Sequence, residues 1–228
     1  MRAAAALLAV WLASCLAIAA AAQEFVSVDA PLADEDFYRV VACAARPGMD
    51  CRKPFLRWSI ARRGDLTVAI APGGAAPARE AAYARGLDAA VGQVNALAAG
   101  VALRRVEGPA DITVHVVATP PGQVMRRTGV ADLDGLVLPL ALVTVRARAG
   151  EIRTARIAVS ALTRPEEIPS ILLEEVVQGL GLITDIRGPA YRRSIFSEDG
   201  NTVATLDGQD AMALRRHYAE PVLLAEGG

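Results

Sequence analysis

The chain has 228 residues, 24 of them basic and 25 acidic, for a formal net charge of -1. That balance gives neither the basic field that a nucleic-acid backbone requires nor an acidic tail, so nucleic-acid partners are excluded on charge. Lys53 is the only lysine among the basic residues, which reads as compositional bias rather than chemistry.

Between Arg2 and Glu24 no residue is charged, and the stretch is apolar except for Ser14, Cys15 and Gln23. A positive start followed by an apolar run is the layout of a secretory signal. Ala20-Ala21-Ala22 offers the small residues a signal peptidase prefers, and cleavage after Ala22 is the favoured reading. Leu12-Ala13-Ser14-Cys15 also matches a bacterial lipobox, which would place a lipid on Cys15. The apolar Leu16-Ala17-Ile18 that follows argues against it, because lipoproteins usually turn polar there. An uncleaved anchor is a third reading, since the run approaches the ~20 residues that span a bilayer, though its alanine content disfavours it. The chain is thus expected to be exported, periplasmic or secreted, or to be held at the membrane by its signal or a lipid. No second run of comparable length follows, so the remainder is expected to be soluble. The division is a signal over 1–22, an N-terminal extension over 23–63, a folded domain over 64–221 and a tail over 222–228.

Once the signal is removed, Cys43 and Cys51 remain, an even count in an exported chain. A disulfide closing this small loop over the Arg46-Pro47-Gly48 turn is the simplest reading. A metal pair is the weaker one, because two thiols cannot fill four zinc positions.

Residues 23–63 are irregular in pattern, ending near Trp58 as an anchoring aromatic. Asp65 to Ile70 alternates with the period of a half-buried strand, stopped by Pro72-Gly73-Gly74. From Pro77 to Ala99, Tyr83, Leu87, Val91, Val94 and Leu97 recur at helical steps, with Pro77 in the opening turn and Gly100 at the close. Val101–Val106 and Asp111–Val117 read as strands, 118–139 as a long loop without period, and 141–147 with 151–159 as a hairpin around Ala149-Gly150. Thr163 and Glu166 form a capping-box pattern, opening a helix that Ile168, Ile171, Leu172, Val176 and Leu180 make apolar over much of its circumference. A last helix runs from about Asp207, with Ala211, Leu214 and Tyr218 on one face, to Pro221.

This order of elements resembles that of zincin peptidases of the metzincin kind. The local sequences Ala110-Asp111-Ile112-Thr113-Val114, Ser194-Ile195-Phe196 and Leu206 to Tyr218 resemble its second strand, methionine turn and terminal helix. The resemblance implies an α+β fold with a mixed sheet, a long first helix, a buried central helix and a C-terminal helix. The central helix of that family carries H-E-x-x-H-x-x-G, whose histidines grip zinc while the glutamate activates water. Here the stretch reads Glu174-Glu175-Val176-Val177-Gln178-Gly179-Leu180-Gly181. The glutamate and glycine are kept, Glu174 and Gln178 replace the histidines, and Asp185 is the one residue near the third ligand position that can serve. A closer resemblance is to DUF2927, a family of exported bacterial proteins of unknown function. Its members look like zincins with an E-E-x-x-Q-x-L-G-L helix, a following N-D-S, an S-I-F and Asp-rich turn, and a last helix ending in Tyr. This chain supplies Glu174, Glu175, Gln178, Leu180-Gly181-Leu182, Asp185, Ser194-Ile195-Phe196, Asp199 and Tyr218, and departs at Thr184 and Ile186.

At 100 degrees per residue, Glu174, Gln178 and Glu175 share one sector of the helix. One reading makes them a site, with Glu174, Gln178 and Asp185 as oxygen ligands and Glu175 as a general base whose pKa the neighbouring Ile168 and Ile171 raise. The other makes them the wet side of an amphipathic helix. Oxygen donors without imidazole or thiolate hold zinc poorly and suit calcium, magnesium or manganese, so no cofactor is assigned and a zinc peptidase is not expected. His115 reads as an ordinary strand residue facing away from Val114, and His217 as a last-turn residue whose charge suits the helix dipole. Asp132-Leu133-Asp134-Gly135 and Asp199-Gly200-Asn201 read as turns, the latter near any pocket. Two functions are carried forward: an envelope module that binds a protein or peptide, and a divergent hydrolase using Glu175.

Overall fold

The computed structural model describes residues 18–21, 25–73, 76–200 and 202–219. Cys15, the cleavage position at Ala22 and the tail from 222 lie outside them. A six-stranded mixed sheet carries the fold, in the order β1-β8-β9-β5-β3-β4. Its strands are β1 (Ile18–Ala21), β3 (Leu66–Ile70), β4 (Leu103–Arg105), β5 (Ile112–Val117), β8 (Ala141–Arg148) and β9 (Glu151–Ser160). Strands β4, β3, β5 and β9 run parallel, while β8 and β1 are antiparallel to their neighbours. Two-stranded ladders join β2 (Phe25–Ser27) to β10 (Asp185–Arg187), and β6 (Gln123–Val124) to β7 (Val137–Leu138).

The α-helices among the described residues are α1 (Asp34–Cys43), α2 (Ile60–Arg63), α3 (Pro77–Ala96), α4 (Ile168–Gly179) and α5 (Gly208–Tyr218), of which α3 and α4 pack on this sheet while α1 packs against α5 and β10. The apolar stripe of α3 buries Tyr83, Leu87, Val91 and Val94, and α3 lies against α4. Their axes approach closely at Gly86, where an added Cβ would stand 3.0 Å from both Ile168 Cγ2 and Leu172 Cδ1. Helix α4 is apolar on nearly every side, with Ile171, Leu172, Leu173, Val176 and Val177 each at most 4% exposed. Burying such a side chain fully contributes about 1.5–3 kcal/mol, which anchors this helix at the centre of the domain. The chain is therefore mixed α+β with a buried central helix and a C-terminal helix.

Four differences from the sequence reading have physical causes. Residues 34–43, read as irregular, form α1, whose Phe37, Val40 and Val41 are fully buried. Helix α4 begins at Ile168 rather than at the Thr163 capping box, because Pro165 disfavours helical backbone at Arg164, whereas Pro169 suits the first turn. The 118–139 segment carries the β6–β7 ladder and covers a satellite core of Val117, Met125, Leu133, Leu138, Leu142 and Ala158. His217 is not a charged end-of-helix residue. Burial pushes it down to about 3, so its ring is neutral at physiological pH, held by the Leu56 carbonyl oxygen at 2.8 Å from Nε2 and the Tyr38 hydroxyl at 3.3 Å from Nδ1.

Cys43 and Cys51 form a disulfide with Cα atoms 5.2 Å apart. His115 lies half-buried on β5, its alternate neighbour Val114 fully buried on the opposite side of the strand. Asp134 closes its turn by accepting from the Thr128 amide at 2.9 Å and hydroxyl at 2.8 Å. Among the described residues no helix is long and apolar enough to cross a membrane.

Candidate functional site

The C-terminal end of α4 is buried, so its last carbonyl groups need partners from elsewhere in the chain. Trp58 Nε1 donates to the Gly179 carbonyl at 3.0 Å and the Tyr218 hydroxyl to that of Leu180 at 2.7 Å. Trp58 thus anchors the incoming segment as expected, and Tyr218 ties the last helix to the same point. The chain then turns at Gly181, whose φ of 109° lies in a region that glycine alone enters freely. An alanine Cβ there would overlap the Leu56 carbonyl oxygen. This tight turn sends the chain into β10 and brings Asp185 back over the helix.

The result is a convergence of polar groups around a cavity of about 220 Å³ lined by Glu174, Glu175, Gln178 and Asp185, with Ser197 and Glu198 across from them. Gln178 Nε2 donates to Asp185 Oδ1 at 2.7 Å and to Glu174 Oε1 at 3.4 Å. Glu175 is 5% exposed and Gln178 3%, so neither lies on a wet helix face. Glu175 Oε2 is buried and accepts no hydrogen bond.

Three of the carboxyls at the cavity, Glu175, Asp185 and Glu198, have raised pKa values. Burial, and secondly the neighbouring Asp185 charge, hold Glu175 well above the usual carboxylate range. Asp185 is pushed up to about 7 by burial and then by Glu198, against the lowering effect of Lys53 and of the Gln178 hydrogen bond. Glu198 is itself raised, mainly by burial. The far wall is held by β10, since Ile186 N–H donates to the Phe196 carbonyl at 2.8 Å and Glu198 N–H to that of Ile186 at 3.1 Å. Arg187 Nη2 pairs with Glu198 Oε1 at 3.2 Å. Asp210, from α5, fixes the Ser194-Ile195-Phe196 turn by accepting from Ser194 Oγ at 2.6 Å and from the Ile195 amide at 2.8 Å. Burial pushes Asp210 up to about 6.

The four residues singled out from the sequence, Glu174, Glu175, Gln178 and Asp185, thus line one cavity. Glu198 joins them from beside the Asp199-Gly200 turn. Lys53, read from the sequence as compositional bias, acts on Asp185, because the path of the chain after the disulfide loop, for which local sequence carries no signal, brings its charge toward the site.

A central apolar helix that presents the buried Glu175 and Gln178 to a polar cavity defines a mixed α+β domain built around a polar site. The chain belongs to the DUF2927 family, described as a protein of unknown function, whose model matches residues 34–223. No curated protein matches it.

Proposed function

We propose that this chain is an exported, zincin-like domain that binds a ligand at its carboxyl cluster and lacks zinc-peptidase activity. One observation carries the reading: the Gln178 amide nitrogen donates to both Glu174 and Asp185. At the two positions where a zincin sets imidazoles around a cation, Glu174 and Gln178 are instead hydrogen-bonded to each other. The residues present do not fit zinc, since they offer neither imidazole nor thiolate. Among the described residues no group of three His, Cys, Asp or Glu is placed to hold a metal ion. Support for the zincin-like fold comes from the element order, from Glu175 at the helix-glutamate position and from the Gly181 turn. Support for export, as a periplasmic, secreted or lipid-held protein, comes from the charge-free stretch between Arg2 and Glu24. Its partner in this reading is a protein or peptide of the cell envelope.

Elemental analysis of the purified protein, paired with a peptide-library digest, tests this. The expected result is substoichiometric zinc and no cleavage. One zinc per chain together with peptide hydrolysis overturns it.

The unpartnered Oε2 of Glu175 favours a second reading, a metal-free hydrolase. A carboxyl whose pKa burial raises well above the usual range is better suited to donate a proton as a general acid than to act as a base. In that case Glu175→Gln abolishes the measured activity without lowering the melting temperature, and unchanged activity in the variant removes the idea.

A further inference from the structure

Building on the binding role proposed above, we infer that the cavity takes a guanidinium or ammonium head group, carried on an aliphatic stem. Four carboxyls, Glu174, Glu175, Asp185 and Glu198, border one small space. An acidic cluster alone means little, because such residues commonly form a solvated face. Here Glu175 is 95% buried in the complementary sense to its 5% exposure, lines the cavity, and leaves Oε2 without a hydrogen-bond donor. A buried carboxyl oxygen left unsatisfied is unfavourable by about 1–3 kcal/mol, so a donor arriving from a ligand recovers what the fold forgoes.

The shape and spacing favour an organic cation over a metal ion. A metal demands several oxygens within one tight shell, whereas Gln178 already engages Glu174 Oε1 and Asp185 Oδ1. A guanidinium carries five N–H donors and an ammonium three, which can reach carboxylates dispersed around a wall. The volume, about 220 Å³, falls below the ~300–1,000 Å³ of pockets that enclose whole drug-sized molecules, and so suits a head group. Pro139, Leu140, Ala141 and Ile171 supply the apolar part of the lining, matching the methylene stem of such a cation.

Isothermal titration calorimetry of the purified protein with agmatine and with acetyl-Gly-Arg-Gly-amide tests the inference, using the matching citrulline peptide as the neutral control. Either cation should bind with a submillimolar Kd at pH 8, with the citrulline peptide inert. Binding of the peptide alone identifies a basic side chain as the source of the head group, and binding of agmatine alone identifies a free amine. Glu175→Gln, with an unchanged far-ultraviolet circular dichroism spectrum, should weaken binding at least about tenfold. The inference is overturned if neither cation binds at millimolar concentration, if citrulline binds equally, or if the variant matches the parent. A zinc-free, non-proteolytic protein that ignores both cations would refute this inference alone, whereas stoichiometric zinc with peptide cleavage would refute the functional reading beneath it.

Discussion

Substituting Gly181 by alanine is expected to lower the unfolding free energy by about 3 kcal/mol or more, read as a fall in the urea midpoint. Two effects combine at this position. The backbone sits at φ 109°, where an L side chain is strained, and the added Cβ would overlap the backbone oxygen of Leu56 and come within 2.8 Å of His217 Nε2. A backbone carbonyl cannot swing aside as a flexible side chain can. Relief therefore requires the Leu56–Trp58 segment to retreat, which breaks the Leu56–His217 contact and strains the Trp58 bond to Gly179. The loss should extend to the site, because the same turn delivers Asp185 to Gln178. Gly92→Ala provides the contrast. It lies inside α3 with nothing within 4 Å of the new methyl group, and replacing an interior helical glycine there should stabilise by about 0.5–1 kcal/mol. Equal midpoints for the two variants would contradict the role given to the turn.

The second large effect is the pH dependence of stability. A buried acid whose folded pKa is raised contributes stability that is complete below its unfolded pKa and is lost as pH rises through the folded value. Asp185, raised from 3.8 to about 7, loses about 4 kcal/mol across that window. Asp210, raised to about 6, and Glu175 follow the same sign. His217 opposes them, because its value is depressed from 6.5 to about 3, so its contribution is lost as pH falls through that range. Below about pH 6.5 the two trends compete. Above it the acids act alone, and the protein should lose stability steadily between pH 6.5 and 8.5, about 1 kcal/mol of it from Asp185 and Asp210 and the rest from Glu175. Glu175→Gln removes a group whose ionisation burial and the Asp185 charge both oppose. Its loss over the same interval should be no more than about 1 kcal/mol, and at pH 8 it should be more stable than the parent. A parent protein with a flat profile, or a variant with the same slope, would count against the buried pair.

Much of this arrangement was legible in the sequence, for identifiable reasons. Helices α3 and α4 announce themselves through apolar residues at steps of three and four, and the hairpin of β8 and β9 through alternation around Ala149-Gly150. The spacing of Glu174, Glu175 and Gln178 put these three on one sector of α4, and the resemblance to the zincin ligand pattern added Asp185. Helix α1 was missed although its signals exist: Asp34, Glu35 and Asp36 occupy its first turn, and Phe37, Val40 and Val41 follow at helical spacing. The disulfide and the nearby prolines drew that segment toward an irregular reading. Nothing local could reveal Lys53 beside Asp185 or the neutral state of His217, since both follow from tertiary burial and not from pattern.

The same reasoning separates structural polar groups from the site. Asp210 is buried yet fully engaged with Ser194 and Ile195, which makes it a fastener for the cavity wall. Glu175 sits equally deep, with one oxygen unanswered, and that asymmetry points to a ligand.

The central claim is that Glu175 and Asp185 form a buried carboxyl pair that holds protons near neutral pH. Carbon-detected NMR of the labelled side-chain carboxyls, titrated from acid to alkaline pH and assigned with Glu175→Gln and Asp185→Asn, measures this directly. Both carboxyl resonances should titrate well above the ordinary carboxylate range, that of Asp185 near pH 7. If both instead move in the ordinary range of about 4–5, the cluster is an open acidic surface and the cavity has no special chemistry.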